Sequence, residues 1–284
     1  MNKNMIGLSS CGKPLNEERF KSYGENGISC IEISCDKNAT DKLNYKELDD
    51  LSKKYGVRLW SLHLPFCPFE IIDISNPLLA DSTVDYYIGI IRKAAAVGID
   101  KFIVHPSGEP IEPEDRKSRM DCAKEHLARL ADLALSENAT ICVEDLPRTC
   151  LGNCSQEINE LVSAHSALRV VFDTNHLLNE DISLFIQNVG SKIVSTHISD
   201  YDFVNERHWL CGEGDIDWKK LYSALSDVGY SGAWLYELGF GAPATLCRER
   251  DLTCEDFARN AAEIFENREI TVIGKRKPNL GMWG

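Results

Sequence analysis

Short apolar, β-branched runs alternate along the whole chain with longer stretches whose apolar residues recur at helical spacing. The pattern predicts strands at 5–9, 27–34, 57–64, 101–105, 140–144, 168–173, 193–198 and 233–238. Between and after them it predicts helices at 15–24, 44–55, 82–97, 113–137, 155–165, 181–189, 217–228 and 251–267. Gly24, Gly56, Gly98 and Gly229 stand where helices should close in a left-handed residue, and Ser82 and Asp217 stand where two should be capped. Eight strand–helix units in 284 residues leave an open doubly wound sheet or a closed barrel. No G-x-G-x-x-G follows the first strand, and Ser9-Ser-Cys-Gly12 is no phosphate cradle. The expected fold is therefore α/β, a (β/α)8 TIM barrel forming a single domain over 1–284. Residues 270–284, with Lys275-Arg-Lys, read as a C-terminal surface extension whose Trp283 packs on the barrel or on a second subunit.

Charge narrows the partners. With 31 Lys+Arg against 44 Asp+Glu the net charge is −13, which repels phosphate backbones at long range and disfavours nucleic acid. No run approaches the roughly 20 apolar residues of a membrane span, and the first ten residues lack a long apolar signal region. The eleven cysteines are odd in number and contain no C-x-x-C pair, so reduced thiols in a cytoplasmic protein are expected. A homo-oligomer is compatible with this surface.

Candidate chemistry comes from where the isolated polar residues fall. The third predicted strand ends Ser-Leu-His63 and the fourth Ile-Val-His105. The fifth ends Cys-Val-Glu144, the sixth Val-Phe-Asp173-Thr-Asn-His176, the seventh Ser-Thr-His197-Ile-Ser-Asp200 and the eighth Leu-Tyr-Glu237. In a parallel barrel these ends share the face on which active sites are built. Carboxylates gathered there repel one another and are costly to bury unpaired, and a divalent cation removes both problems. Glu144, Asp173, His197 and Glu237 make a mixed oxygen and nitrogen set suited to Mn2+, Mg2+, Co2+ or Zn2+. His63, His105, His176, Glu206, Arg207 and His208 are candidates for binding substrate or for additional metal, and Trp209 joins Arg207 as a loop candidate for gripping substrate. For Arg207 and Trp209, an ordinary ion pair and loop packing are the competing expectations. The apolar and acidic loop Pro65-Phe-Cys-Pro-Phe-Glu-Ile-Ile-Asp suits a lid over a small ligand.

These residues resemble the xylose-isomerase-like TIM-barrel superfamily, which includes sugar and sugar-phosphate isomerases and epimerases and the endonuclease IV group. Asp173-x-x-His176, His197-x-x-Asp200 and Gly212-Glu-Gly-Asp-Ile-Asp-Trp218 carry the likeness over nearly the whole chain. The epimerase branch implies that Glu144, Asp173, His197 and Glu237 hold one metal ion and that Glu144 and Glu237 move the protons. The endonuclease IV branch implies several zinc ions on His63, His105, Glu144, Asp173, His176, His197, His208 and Glu237, with Glu206 standing where that branch has Asp. The expected function is a divalent-metal-dependent sugar or sugar-phosphate isomerase or epimerase, working by proton abstraction next to a carbonyl through a metal-stabilised enediolate. The alternatives are a multinuclear zinc phosphodiesterase, a lyase or dehydratase acting on keto-sugars or keto-inositols, and a barrel that binds sugar or metal without turnover.

Overall fold

A computed structural model describes residues 5–278. The elements run β1 (Ile6–Ser9), α1 (Glu17–Glu25), β2 (Cys30–Ser34), α2 (Lys37–Thr40), α3 (Tyr45–Tyr55), β3 (Arg58–His63), α4 (Ala80–Ala95), β4 (Lys101–Val104), α5 (Arg116–Leu135) and β5 (Thr140–Glu144). They continue α6 (Ser155–Val162), β6 (Arg169–Asp173), α7 (Ile182–Val189), β7 (Ile193–His197), α8 (Trp218–Asp227), β8 (Trp234–Tyr236), β9 (Leu246–Cys247), α9 (Cys254–Phe265) and β10 (Lys275–Arg276). The sheet order is β7-β6-β5-β4-β3-β2-β1-β8, with every pairing parallel. It closes where Ile198, just past β7, bridges to Tyr236: Ile198 N donates to Leu235 O at 2.8 Å and Glu237 N to Ile198 O at 3.1 Å. The fold is a single-domain (β/α)8 barrel.

The helices begin and end on local chemistry. Asn44 and Asp217 accept hydrogen bonds from Glu47 N and Lys220 N, and Thr253 and Asp256 form a reciprocal box at the start of α9. Gly56 closes α3 at φ 69°. Two expected boundaries differ. Gly24 lies inside α1, where a Cβ would strike the Tyr55 carbonyl, so it is there for close packing on α3. Ser82 lies within α4, and its Oγ donates back to Leu79 O rather than capping. The segment after β2 forms the short α2, capped by Asp36, which accepts from Ala39 N.

Most apolar burial lies between strands and helices, with Phe102, Phe172, Phe185, Trp234 and Phe257 in one continuous core. Inside the barrel Cys30, Trp60, Ala233 and Leu235 plug the lower end, and Ile103, Cys142 and Val171 form a second cluster. Two bulges set what stands above them. Between β2 and β3 the register passes from Ile31↔Leu59 to Glu32↔Ser61, and between β6 and β7 from Val170↔Ile193 to Val171↔Ser195. Trp60 and Val194, the extra residues, fill the interior clusters, while Ser61 bonds Glu32 and His197 reaches the mouth. Without the bulges, the strict alternation of a strand would turn one member of each pair away.

The C-terminal segment lies on the barrel as far as it is described: Lys275 and Arg276 pair with Cys247 and Leu246, and Arg276 sits over the Trp209 ring at 5.0 Å. Trp283 falls outside the described residues. All eleven cysteines are unpaired thiols. Among the described residues no helix is long and apolar enough to cross a membrane.

Candidate active site

The ends of β5, β6 and β7 and the residue after β8 bring Glu144, Asp173, His197 and Glu237 together, with one potential ligand atom of each within 4.8 Å of the others. His197 Nδ1 lies 2.8 Å from Glu144 Oε1, 3.0 Å from Glu237 Oε2 and 3.8 Å from Asp173 Oδ2. Asp173 uses Oδ1 to accept from Asn175 N at 2.7 Å, while its buried Oδ2 has no hydrogen-bond partner. An orphaned buried oxygen facing two carboxylates and an imidazole is what a cation would satisfy, so these residues fit a divalent metal ion. The electrostatics agree. Burial, with Glu237 and Glu144 adding to it, pushes Asp173 well above the usual carboxylate range. Burial opposes charge on His197, yet Glu237, Glu32 and Glu144 around it hold the imidazole well above its ordinary value. Glu237, although half-buried, is held down to about 2, chiefly by His197.

Glu144 belongs to a second set. His63 Nε2 and His105 Nε2 lie 3.0 and 3.1 Å from its Oε2, and the three groups again lie within 4.8 Å of one another. Burial alone would raise Glu144, but His197 and His105 hold it well below the usual range. Three of the site's histidines are anchored alike. His63 Nδ1 donates to Leu64 O at 2.9 Å, His176 Nδ1 to Asp145 O at 2.7 Å and His208 Nδ1 to Glu237 O at 3.1 Å. Each anchor turns Nε2 toward the site.

Glu206 accepts from His176 Nε2 at 3.0 Å and pairs through its other oxygen with Arg148. Arg148, at φ 51°, also bonds Glu109 through Nη2 at 2.8 Å and Asn205 through Nη1 at 2.8 Å, so the loops after β4, β5 and β7 are tied together. Burial notwithstanding, His176 and Arg148 hold Glu206 well below its ordinary range.

A cavity of about 750 Å³ opens over these groups, lined by His63, His105, Glu144, His176, Glu206, His208 and Glu237 among the expected residues. The loop after β3 contributes Phe66 and Phe69, with Phe66 stacked on His105 at 4.1 Å between centroids. Arg119 pins that loop by its ion pair with Asp73. Asp173 and His197 are fully buried and do not line the cavity, and of the expected residues only Arg207 joins neither the lining nor the ligand cluster. Its guanidinium is buried and bonds Asp202 at 2.9 Å, and it does not line the cavity, because the turn through His208 (φ 50°) sends the two side chains apart. Trp209 is also fully buried, donating to Thr245 Oγ1 at 2.8 Å. Asp200 is structural. It accepts from Tyr201 N, Gly212 N, Ile216 N and Trp218 Nε1, and a Cβ at Gly214 would collide with it, which explains the Gly212–Trp218 run.

Sequence reasoning passed over Glu32, Glu109 and Arg148. Glu32 sits in an alternating strand that reads as half-exposed, while Glu109 and Arg148 sit in loops that carry no periodic signal.

Residues 20–250 match the family described as xylose isomerase-like TIM barrel. An uncharacterized protein of Methanocaldococcus jannaschii is 26% identical over 231 residues, 78% of this chain and 83% of that protein. The D-psicose 3-epimerase of Ruminiclostridium cellulolyticum is 29% identical over 129 residues, 43% of this chain and 42% of that enzyme. The solved structure of an L-ribulose 3-epimerase is similar at a TM-score of 0.76 and 20% identity, covering 94% of each chain. With the match running through most of its length and the closed parallel barrel beneath it, the chain belongs to the xylose isomerase-like TIM-barrel family.

Proposed function

We propose that this protein is a divalent-metal-dependent isomerase or epimerase of small sugars that moves a proton at a carbon next to a carbonyl. One observation carries the reading: Glu144 and Glu237 both line the cavity and approach the same nitrogen, His197 Nδ1, with the strands bearing Asp173 and His197 between theirs. Pure binding has no use for two such bases. Glu144, Asp173, His197 and Glu237 would hold the cation, which when bound acts as a Lewis acid that draws charge from the carbonyl oxygen and acidifies the neighbouring C–H. One glutamate then takes the proton from that carbon, leaving the electron pair to move onto the carbonyl oxygen. The other glutamate, which has to enter the step protonated, gives its proton to the opposite face of the same carbon, which inverts it and leaves the pair with the proton on the first glutamate. Glu237 has the more open carboxylate, its side chain 17% exposed against 1% for Glu144. His208, anchored through Nδ1, is placed to hold a substrate hydroxyl through Nε2, His176, itself fixed by Asp145 O, orients Glu206 at the cavity wall, and Phe66 offers an apolar wall to a sugar's C–H face.

The names of the similar proteins, a D-psicose 3-epimerase and an L-ribulose 3-epimerase, support a keto-sugar substrate. The cavity supports an unphosphorylated one: it is lined by Asp36, Glu109, Glu144, Glu206 and Glu237, and Arg148 already bonds Glu109 and Glu206. The test is deuterium exchange. The Mn2+-loaded protein, incubated in D2O with free ketohexoses and ketopentoses, should place deuterium next to the carbonyl and yield the epimer by NMR. Exchange with loss of water would make it a dehydratase, and no exchange with any ketose would reduce it to a binding barrel.

A zinc phosphodiesterase is the second reading, favoured by the His63, His105 and Glu144 set, which offers a second cation site. Against it stand the net charge of −13 and an aromatic, acidic rim in place of a basic groove.

A further inference from the structure

The four histidines of the site that have an anchoring hydrogen bond do not share one arrangement. His63, His176 and His208 are each fixed through Nδ1 to a backbone carbonyl. His197 is reversed: its Nδ1 faces Glu144, Asp173 and Glu237, and its Nε2 lies 3.1 Å from Oε2 of Glu32 and 3.0 Å from Oε1. Glu32 is completely buried in the middle of β2, on the axis side of the barrel. Its Oε2 also accepts from Ser61 Oγ at 2.8 Å, a contact made possible by the bulge that brings Ser61 opposite it. A carboxylate in the interior of a barrel is expensive to bury, and here one hydroxyl and one imidazole are what it gains.

We infer that Glu32 is the positioning residue of the metal site: it holds the His197 proton on Nε2 and so keeps the Nδ1 lone pair aimed between Glu144, Asp173 and Glu237. The inference rests on the reading that these four side chains hold a cation. A neutral imidazole can carry its proton on either nitrogen, and only the Nε2–H form presents Nδ1 as a donor to a metal. A carbonyl anchor, as at His63, fixes orientation, whereas a carboxylate anchor also makes the opposite nitrogen more basic and a stronger ligand. Ser61 in turn stops the Glu32 carboxylate from rotating. The β2–β3 bulge is thereby part of the site, although neither strand ends in a metal ligand of the four.

The test is cobalt binding by full-length protein, followed by the visible absorption of Co2+, and it needs no substrate. Glu32→Gln keeps an acceptor for Nε2–H but loses the charge, and its affinity for Co2+ should fall about tenfold; Glu32→Leu removes both, and the fall should approach 100-fold. Ser61→Ala, which frees the carboxylate to rotate, should weaken binding less than either. A structural role alone would not move the second readout, the imidazole nitrogen shifts of His197 in the zinc-loaded protein. The parent should show one population, with Nδ1 on the metal and the proton on Nε2, and Glu32→Leu a mixture that includes rings bound through Nε2 or not bound at all. Parental cobalt affinity in both folded Glu32 variants, or a single Nδ1-bound population of His197 in Glu32→Leu, would overturn the role. A parent that binds no cobalt would overturn the metal site and this role together. Intact cobalt binding without sugar turnover would count against the proposed reaction alone.

Discussion

Glu144 is the residue on which the site turns, because three imidazoles and both potential metal-ligand sets meet at its carboxylate. A side chain so enclosed does not serve stability cheaply: each of its oxygens is already within bonding distance of a histidine, and the charge is 1% exposed. Replacing it by Gln keeps the shape and removes the base and the anionic ligand. Glu144→Gln and Glu237→Gln should each lower hydrogen exchange at the substrate carbon by about 10³-fold or more, the scale of a lost general base together with a lost ligand. His126 is the control. It lies on α5, bonded through Nδ1 to Cys122 O at 2.8 Å and away from the cavity lining, so His126→Ala should leave exchange within about twofold of the parent. Equal loss in all three variants would show that the assignment of bases is wrong. Side-chain identity was legible in the sequence at Glu144, Asp173, His197 and Glu237, because each is an ionisable group at the end of a predicted strand. Arg207 shows the limit: adjacency to His208 in the chain gave no warning that a positive φ would turn the two apart, while Arg148, from another loop, enters the cavity.

At the scale of elements, strand ends were readable and strand interiors were not. An extra apolar residue such as Trp60 or Val194 leaves an apolar run looking unbroken, so the bulges that align Ser61 with Glu32 and aim His197 have no signature in the pattern. The helix boundaries follow capping chemistry where a side chain supplies it, and α9 offers a pH test of that chemistry. Asp256 accepts from Thr253 N at 2.8 Å and pairs with Arg250 and Arg259, and the Arg250 bond leads in holding it well below the ordinary Asp range. A carboxylate whose folded value is depressed contributes stability above its unfolded value, near pH 4, and loses that contribution as the pH falls through the folded one. Asp256→Asn should therefore be less stable than the parent by about 1–2 kcal/mol at pH 7. The gap between the two in urea denaturation should narrow below about pH 4. A gap that stays constant down to pH 3 would mean that the cap acts by shape and not by charge.

Across the whole molecule, the barrel separates its two ends by chemistry. The lower end is plugged by Trp60, Cys30, Ala233 and Leu235, and the upper end collects carboxylates and imidazoles under a cavity of about 750 Å³. The fold class was legible because eight strand–helix periods and their polar ends recur over 284 residues, whereas the enclosure of the cavity depends on loops tied by Arg148 and Arg119, whose partners lie 39 and 46 positions away. All of this converges on one claim, that four strand-end side chains hold a divalent cation at the barrel mouth. The direct test is a crystal of the protein grown with Mn2+ and measured at the manganese absorption edge. An anomalous peak within about 2.3 Å of side-chain atoms of Glu144, Asp173, His197 and Glu237 is the predicted result. A protein saturated with Mn2+ whose peak lies elsewhere, with those four side chains pointing apart, would contradict it.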